Sequence, residues 1–340
     1  MNATLQCFCH IEKFVYFFKY DSQANNDIFI NDKDKLSYSF KLIIEKLWPD
    51  NYEDKYLKNY FAPEEFKKKI SKMNPLFKGV AANDAKDLVN FIIMTLHEEL
   101  NKANNINNDN NIIIDQRNQQ LMFNNFAQYF VKANKSIISD LFYGINCNIT
   151  QCGGCGTQSY NYQTYFFLVF PLEEIRKFKY NNMNQFIIFG NNYNVVDIQD
   201  CFEYDRKINV MSGENSMYCN YCKNTCSSSM CTILTTGPNI LILLLNRGKW
   251  IEFNVKINFY EELNLYNYIQ YNNIGCNYKL IGVITHIGES GMGGHFIAYC
   301  RDPITQKWHK YNDAIVSEVN NFQNDVINFA MPYLLFYQKM

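Results

Sequence analysis

Apolar positions in the first third of the chain recur at helical spacing. Leu5, Phe8, Ile11, Val15 and Phe18 fall on one stripe, so the chain starts almost inside a helix. Leu42–Trp48 gives a second short amphipathic stretch, ended by Pro49, which cannot continue a helix. A longer helix is predicted from about Asp84 to Leu100, with Ala85, Leu88, Val89, Ile92, Leu96 and Leu100 on its apolar face. Asn83 or Asp84 can cap it, accepting from first-turn amides that have no carbonyl partner.

After roughly residue 145 the pattern changes. Thr164–Phe170, Ile240–Leu245 and Trp250–Ile257 are rich in β-branched and aromatic residues and are divided by turn residues. Lys279–His286, His295–Arg301, Trp308–Tyr311 and Tyr333–Gln338 continue in the same style. Helices first and antiparallel strands later predict an α+β protein. No internal repeat is present, and the asparagine run Asn104–Asn111 reads as a solvated loop.

Composition supports a packed core, with 27 Phe and 25 Tyr among 340 residues. A net charge of -1 argues against a nucleic-acid binder, which carries a basic excess or stripe. No apolar run reaches the length of a membrane span; Ile240–Leu245, bounded by Pro238 and Arg247, reads as a buried strand. Glu12 and Lys13 interrupt the N-terminus too early for an export signal. The 12 cysteines are therefore expected to be reduced, in a chain of the cytosol or nucleus, and to serve metal binding, catalysis or packing.

Two Cys-x-x-Cys knuckles, Cys152-Gly-Gly-Cys155 and Cys219-Asn-Tyr-Cys222, supply the four thiolates of a closed tetrahedral zinc site. The 63 residues between them are too many for a zinc ribbon folding alone, and fit two hairpins meeting at the tip of a sheet. Cys147, Cys226 and Cys231 are alternative ligands. This pattern implies a structural metal rather than a reaction. A DNA-binding zinc module is the rival reading, and the charge balance weighs against it.

The segment Tyr278–Val316 carries the candidate chemistry. It reads as strand, glycine-rich loop, strand, turn, strand, so that Asn312 and Asp313 return beside the start of the strand carrying His295. A histidine leaving a Gly-Gly loop with an amide or carboxylate alongside is how a general base is oriented, although a structural histidine at a strand end fits equally. His286 precedes the loop as a rim residue; His10, His97 and His309 read as structural or surface positions.

These residues resemble the histidine box of the ubiquitin-specific proteases, a glycine-histidine-aromatic strand followed by tryptophan, an aromatic and an Asn/Asp–Asp pair. Further landmarks fall in the family's order. Asn83-Asp84-Ala85-Lys86-Asp87-Leu88, leading into Leu96–Leu100, is similar to the Gln-Asp-Ala-Gln-Glu-Phe helix. Leu141-Phe142-x-Gly144 precedes the first knuckle, Pro238–Arg247 follows the second, and Tyr333-Leu-Leu-Phe-Tyr337 closes the chain.

The resemblance covers nearly the whole chain. It implies a papain-like fold with a helical thumb (residues 1–140), zinc-tipped β fingers (141–250) and a β-sheet palm with the histidine box (251–340). It implies a thiol-dependent deubiquitinase that binds ubiquitin and ubiquitinated proteins, with structural zinc and no catalytic cofactor. His295 becomes the base, Asn312 its orienting partner and Asp313 a support, while Asp84 and Asp87 match acidic positions that engage the basic ubiquitin tail. Carboxylates suit arginines there because the pairing is charge-assisted.

The sequence also departs from the family. Asn83 stands in the place of the motif's Gln, Asp87 shortens its Glu, and Arg247-Gly248 replaces Arg-Phe. Met1–Gln6 looks like the segment directly after the family's Asn-x-x-x-Cys-Tyr, which puts the nucleophile two positions before Met1. Cys7 and Cys9 lie one to two turns further along, and one turn moves a side chain by about 5.4 Å. They are not expected to substitute. A catalytically dead ubiquitin-binding pseudoenzyme or scaffold is the alternative reading.

Overall fold

The computed structural model describes residues 1–21, 33–50, 61–79, 83–103, 115–181, 194–248, 254–271, 275–288, 293–328 and 330–340. The asparagine run, Trp250 and the middle of the glycine-rich link lie outside the described residues.

Helices come first: α1 (Asn2–Cys9), α2 (Glu12–Tyr20), α3 (Leu36–Leu47), α4 (Glu64–Met73), α5 (Ala85–Leu100), α6 (Gln119–Ala133) and α7 (Ile137–Phe142). Then follow β1 (Gly144–Cys152), β2 (Gln158–Tyr165), β3 (Leu168–Pro171), α8 (Leu172–Asn181), β4 (Val195–Asp197), α9 (Ile198–Asp205) and β5 (Asn209–Met211). Mostly strands follow, besides short helical turns at Gly213–Asn215 and Gln323–Asn328: β6 (Met217–Cys219), β7 (Asn224–Cys226), β8 (Ser228–Thr236), β9 (Ile240–Asn246), β10 (Lys256–Asn258) and β11 (Glu262–Asn264). The last five are β12 (Asn277–Ile287), β13 (His295–Arg301), β14 (Trp308–Asn312), β15 (Ile315–Glu318) and β16 (Pro332–Lys339). The fold is α+β. Among the described residues, no helix is long and apolar enough to cross a membrane.

The main sheet runs β15-β14-β13-β12-β16-β9-β3, with β11 also paired to β12. Both of its faces are covered. Along β9, Ile240, Ile242 and Leu244 face a core shared with the N-terminal helices, while Leu241, Leu243 and Leu245 face a second core beneath α8 and α9. A strand buried on both sides has no reason to alternate in polarity, which accounts for its unbroken apolar run. On the helical side Phe8 packs against Phe14, Phe40, Phe142 and Phe336, joining α1, α2, α3, α7 and β16 in one aromatic cluster.

A second sheet, β2-β1-β8-β5, stands apart and carries the knuckles near its end. β1 runs into the first knuckle, and the separate β6-β7 hairpin brackets the second.

Three expectations change. The N-terminal stripe is two helices, because the His10 ring hydrogen-bonds the Gln6 carbonyl at 2.7 Å, and the His10 amide turns to Cys7 O instead. The chain resumes helix at Glu12, so Phe14 is buried in place of Val15. The second helix begins at Leu36 rather than Leu42, where both Glu99 oxygens accept from the amides of Leu36 and Ser37. The run Thr164–Phe170 is not one strand: it breaks at Phe166–Phe167, and β2 and β3 belong to different sheets. Of Trp250–Ile257, only the end is described, as the start of β10.

Candidate active site and metal centre

His295 opens β13, opposite Ile287 in the antiparallel register with β12. β14 pairs on the other side, and Asn312 ends it before a two-residue turn into β15. Asp313 occupies that turn with φ 52°, a left-handed conformation that Asp adopts more readily than most residues. Hairpin geometry thereby carries Asn312 back to His295. The ring donates from Nε2 to Asn312 Oδ1 at 2.7 Å, and Asp313 Oδ2 lies 3.6 Å from the same nitrogen. With Nε2 donating, Nδ1 is the nitrogen that keeps its lone pair, and the ring is partly exposed.

The N-terminal end of α1 meets this pair. Asn2 Nδ2 donates to the Asp313 carbonyl at 3.0 Å. A helix N-terminus is the positive end of the macrodipole and favours a thiolate placed there. The cysteines of α1 lie elsewhere. Cys7 Sγ sits 3.8 Å from Cys300 Sγ in the core, and burial raises the pKa of both Cys9 and Cys300 far above the ordinary thiol range.

Asp84 is the residue that caps α5, accepting from Lys86 N at 3.0 Å. Tyr333 on β16 donates to its carboxylate, lying 2.7 Å from each oxygen. The sequence marks Tyr333 as part of the closing strand but not as a partner of Asp84, because the pairing spans 249 residues and leaves no local signal. Asp87 follows on the first turn of α5; partial burial, and then the neighbouring charge of Asp84, raise its pKa. Two acids thus stand on one helix start, and Lys86 Nζ, 3.5 Å from Asp84 Oδ2, offsets part of their charge.

His286 lies on the loop side of His295. A Cβ on Gly294 would come within 2.3 Å of His286 Nε2, so glycine is what lets the loop pass over this ring. Burial, and then the charge of Arg247, lower the His286 pKa. Arg247 is itself buried and donates to the carbonyls of Pro332 and Val255. Burial lowers its pKa to about 10. His10 and His97 are bonded to Tyr311 and Ser136 respectively, away from His295.

The four knuckle cysteines converge. Their sulphurs all lie within 4.8 Å of one another, with Cys152–Cys222 at 3.9 Å and Cys155–Cys219 at 3.7 Å. A tetrahedron with Zn–S arms of about 2.3 Å has an edge of about 3.8 Å, so the set fits a zinc ion. The knuckles are conformational copies. Gly156 N donates to Cys152 O and Lys223 N to Cys219 O, each across four residues. The donor takes a left-handed conformation in both, φ 71° at Gly156 and 58° at Lys223. Cys147 and Cys231 lie further back, on β1 and β8.

Comparison with known proteins gives a family and a fold. The model of the ubiquitin carboxyl-terminal hydrolase family matches residues 1–337. Ubiquitin carboxyl-terminal hydrolase Usp2 of Drosophila melanogaster is 24% identical over 349 residues, covering 100% of this chain and 34% of its own length. Ubiquitin carboxyl-terminal hydrolase 2 of Bos taurus is 25% identical, covering 99% of this chain and 53% of its own. The chain thus spans a third to a half of the length of these relatives. A chain of the SAGA DUB module Ubp8/Sgf11/Sus1/Sgf73, solved bound to monoubiquitin, superposes with a TM-score of 0.70 at 20% identity, over 100% of this chain and 66% of that one. The family match over almost every residue, the shared fold and the converging thiols place this chain in the ubiquitin carboxyl-terminal hydrolase family, as a ubiquitin-specific protease domain.

Proposed function

We propose that this domain serves a thiol-dependent deubiquitinase that hydrolyses the isopeptide or peptide bond after the C-terminal glycine of ubiquitin. The observation that carries the reading is the His295–Asn312 pair, set against the N-terminal end of α1. His295 would take a thiol proton on Nδ1, Asn312 would hold the ring, and Asp313 would stabilise the imidazolium. The thiolate attacks the carbonyl carbon, His295 returns the proton to the leaving amine, and water then hydrolyses the thioester. Asp84 and Asp87 would bind the arginines of the ubiquitin tail. In this reading helices α1–α7 form the thumb, the knuckle-bearing sheet the fingers and the main sheet the palm, in a chain of the cytosol or nucleus.

Cys7 and Cys9 are buried, so neither is assigned as that thiol. The second reading is a ubiquitin-binding module without hydrolysis. Two measurements decide. Calorimetric titration with ubiquitin is expected to show binding that the Asp84→Arg, Asp87→Arg double variant weakens at least tenfold; no binding by the original chain overturns both readings. Adding an Asn-x-x-x-Cys-Tyr segment before Met1 is expected to give hydrolysis of a fluorogenic ubiquitin C-terminal amide, abolished by His295→Ala. Binding without hydrolysis in that extended chain favours the second reading.

A further inference from the structure

A fifth cysteine borders the four-thiol cluster. Cys226 ends β7, the strand returning from the second knuckle, and the chain then passes along the first, where Gly153 N donates to Ser227 O at 2.8 Å. Gly154 leaves room for the Cys226 thiol: a Cβ there would sit 2.6 Å from Cys226 Sγ and 3.7 Å from Cys152 Sγ. The two sulphurs therefore border the same small volume. Cys226 is not one of the four sulphurs that converge, and it is partly exposed. A solvent-reachable thiol outside the ligand set stands beside a ligand.

We infer that Cys226 is a redox partner of Cys152, forming a disulfide under peroxide that removes one of the four donors and releases zinc. The inference rests on the reading that the four thiols hold zinc. The Cys226 sulphur attacks hydrogen peroxide, the O–O bond breaks, and a sulfenic acid and water result. Cys152 then attacks the sulfenic sulphur, the S–S bond forms and a second water leaves. The Cys226 thiol and the zinc-bound Cys152 thiolate together lose two electrons and one proton, the departing hydroxide takes a proton from solvent, and one peroxide becomes two waters. The sulphurs must close to about 2.05 Å. That movement falls on the β6-β7 hairpin, two strands of three residues each that pair with each other alone among the described strands. With three donors left, the closed tetrahedral site no longer exists.

The test uses the purified chain and its Cys226→Ser variant. Zinc content is measured first, then zinc release to a chromogenic chelator under hydrogen peroxide, then disulfide mapping by non-reducing mass spectrometry. Both proteins are expected to start with about one zinc per chain, the four-thiol stoichiometry. The original chain should release it at least tenfold faster and show a Cys152–Cys226 linkage that dithiothreitol reverses. Equal release rates, or linkages confined to the four ligands, overturn the inference while leaving the zinc site standing. Zinc lost from Cys226→Ser before oxidation makes Cys226 a ligand and also overturns it. Zinc absent from both proteins at the outset removes the four-thiol reading itself.

Discussion

A histidine becomes a usable base when one ring nitrogen is committed and the other is not. At His295 the commitment is made by Asn312, whose Oδ1 accepts from Nε2 at 2.7 Å. This neutral contact matters more for tautomer than for charge, since an amide oxygen can only accept. ¹⁵N spectroscopy of His295 is therefore expected to show the Nε2-protonated tautomer, and Asn312→Ala to give a mixture of tautomers. An unchanged spectrum in the variant would mean that Asn312 does not orient the ring. The candidate pair was legible in the sequence because one hairpin carries both residues. Tyr333 holding Asp84 was not, because only the folded sheet brings β16 to the start of α5.

At the scale of elements, the two knuckles show how the same backbone solution arises from different residues. Each places a residue in the left-handed region just after its second cysteine, once with Gly156 and once with Lys223. Open space surrounds Gly156, so an added Cβ would meet no atom within 4 Å, and only conformational strain opposes it. Gly156→Ala is expected to destabilise the domain by about 1–2 kcal/mol, read by urea unfolding with zinc held constant. Lys223→Gly is expected to cost nothing measurable. The capping of α5 belongs to the same scale: loss of the Asp84 side chain should cost about 1 kcal/mol through the cap. Caps and knuckles were readable from short motifs. The break at His10 was not, because a side chain competing for a backbone carbonyl leaves the apolar spacing intact. Nor was α6, whose apolar residues Met122, Phe123 and Phe126 pack only partly against the second sheet and leave no fully buried stripe.

At the scale of the whole molecule, a small cavity of about 170 Å³ lies between α9, β8 of the second sheet and the Asn267–Gln270 turn. Asp205, the last residue of α9, lines it. Burial raises the Asp205 carboxyl to about 6, and its place at the negative end of the helix offers no compensation. The sign of the consequence follows from proton linkage. Below about pH 4 the carboxyl is protonated in both folded and unfolded chains and contributes no penalty. As pH rises toward 6 the unfolded chain releases its proton while the folded chain retains it, so stability falls. Above that range both are ionised and the penalty is constant. Asp205→Asn removes the charge at nearly equal volume, and is expected to stabilise the domain by about 1–2 kcal/mol at neutral pH, a value reduced for partial exposure. The gain should shrink toward zero at about pH 4, as measured by urea unfolding of both proteins across the range. A gain that stays constant with pH would assign it to packing, and would mean that the cavity tolerates the carboxylate without strain.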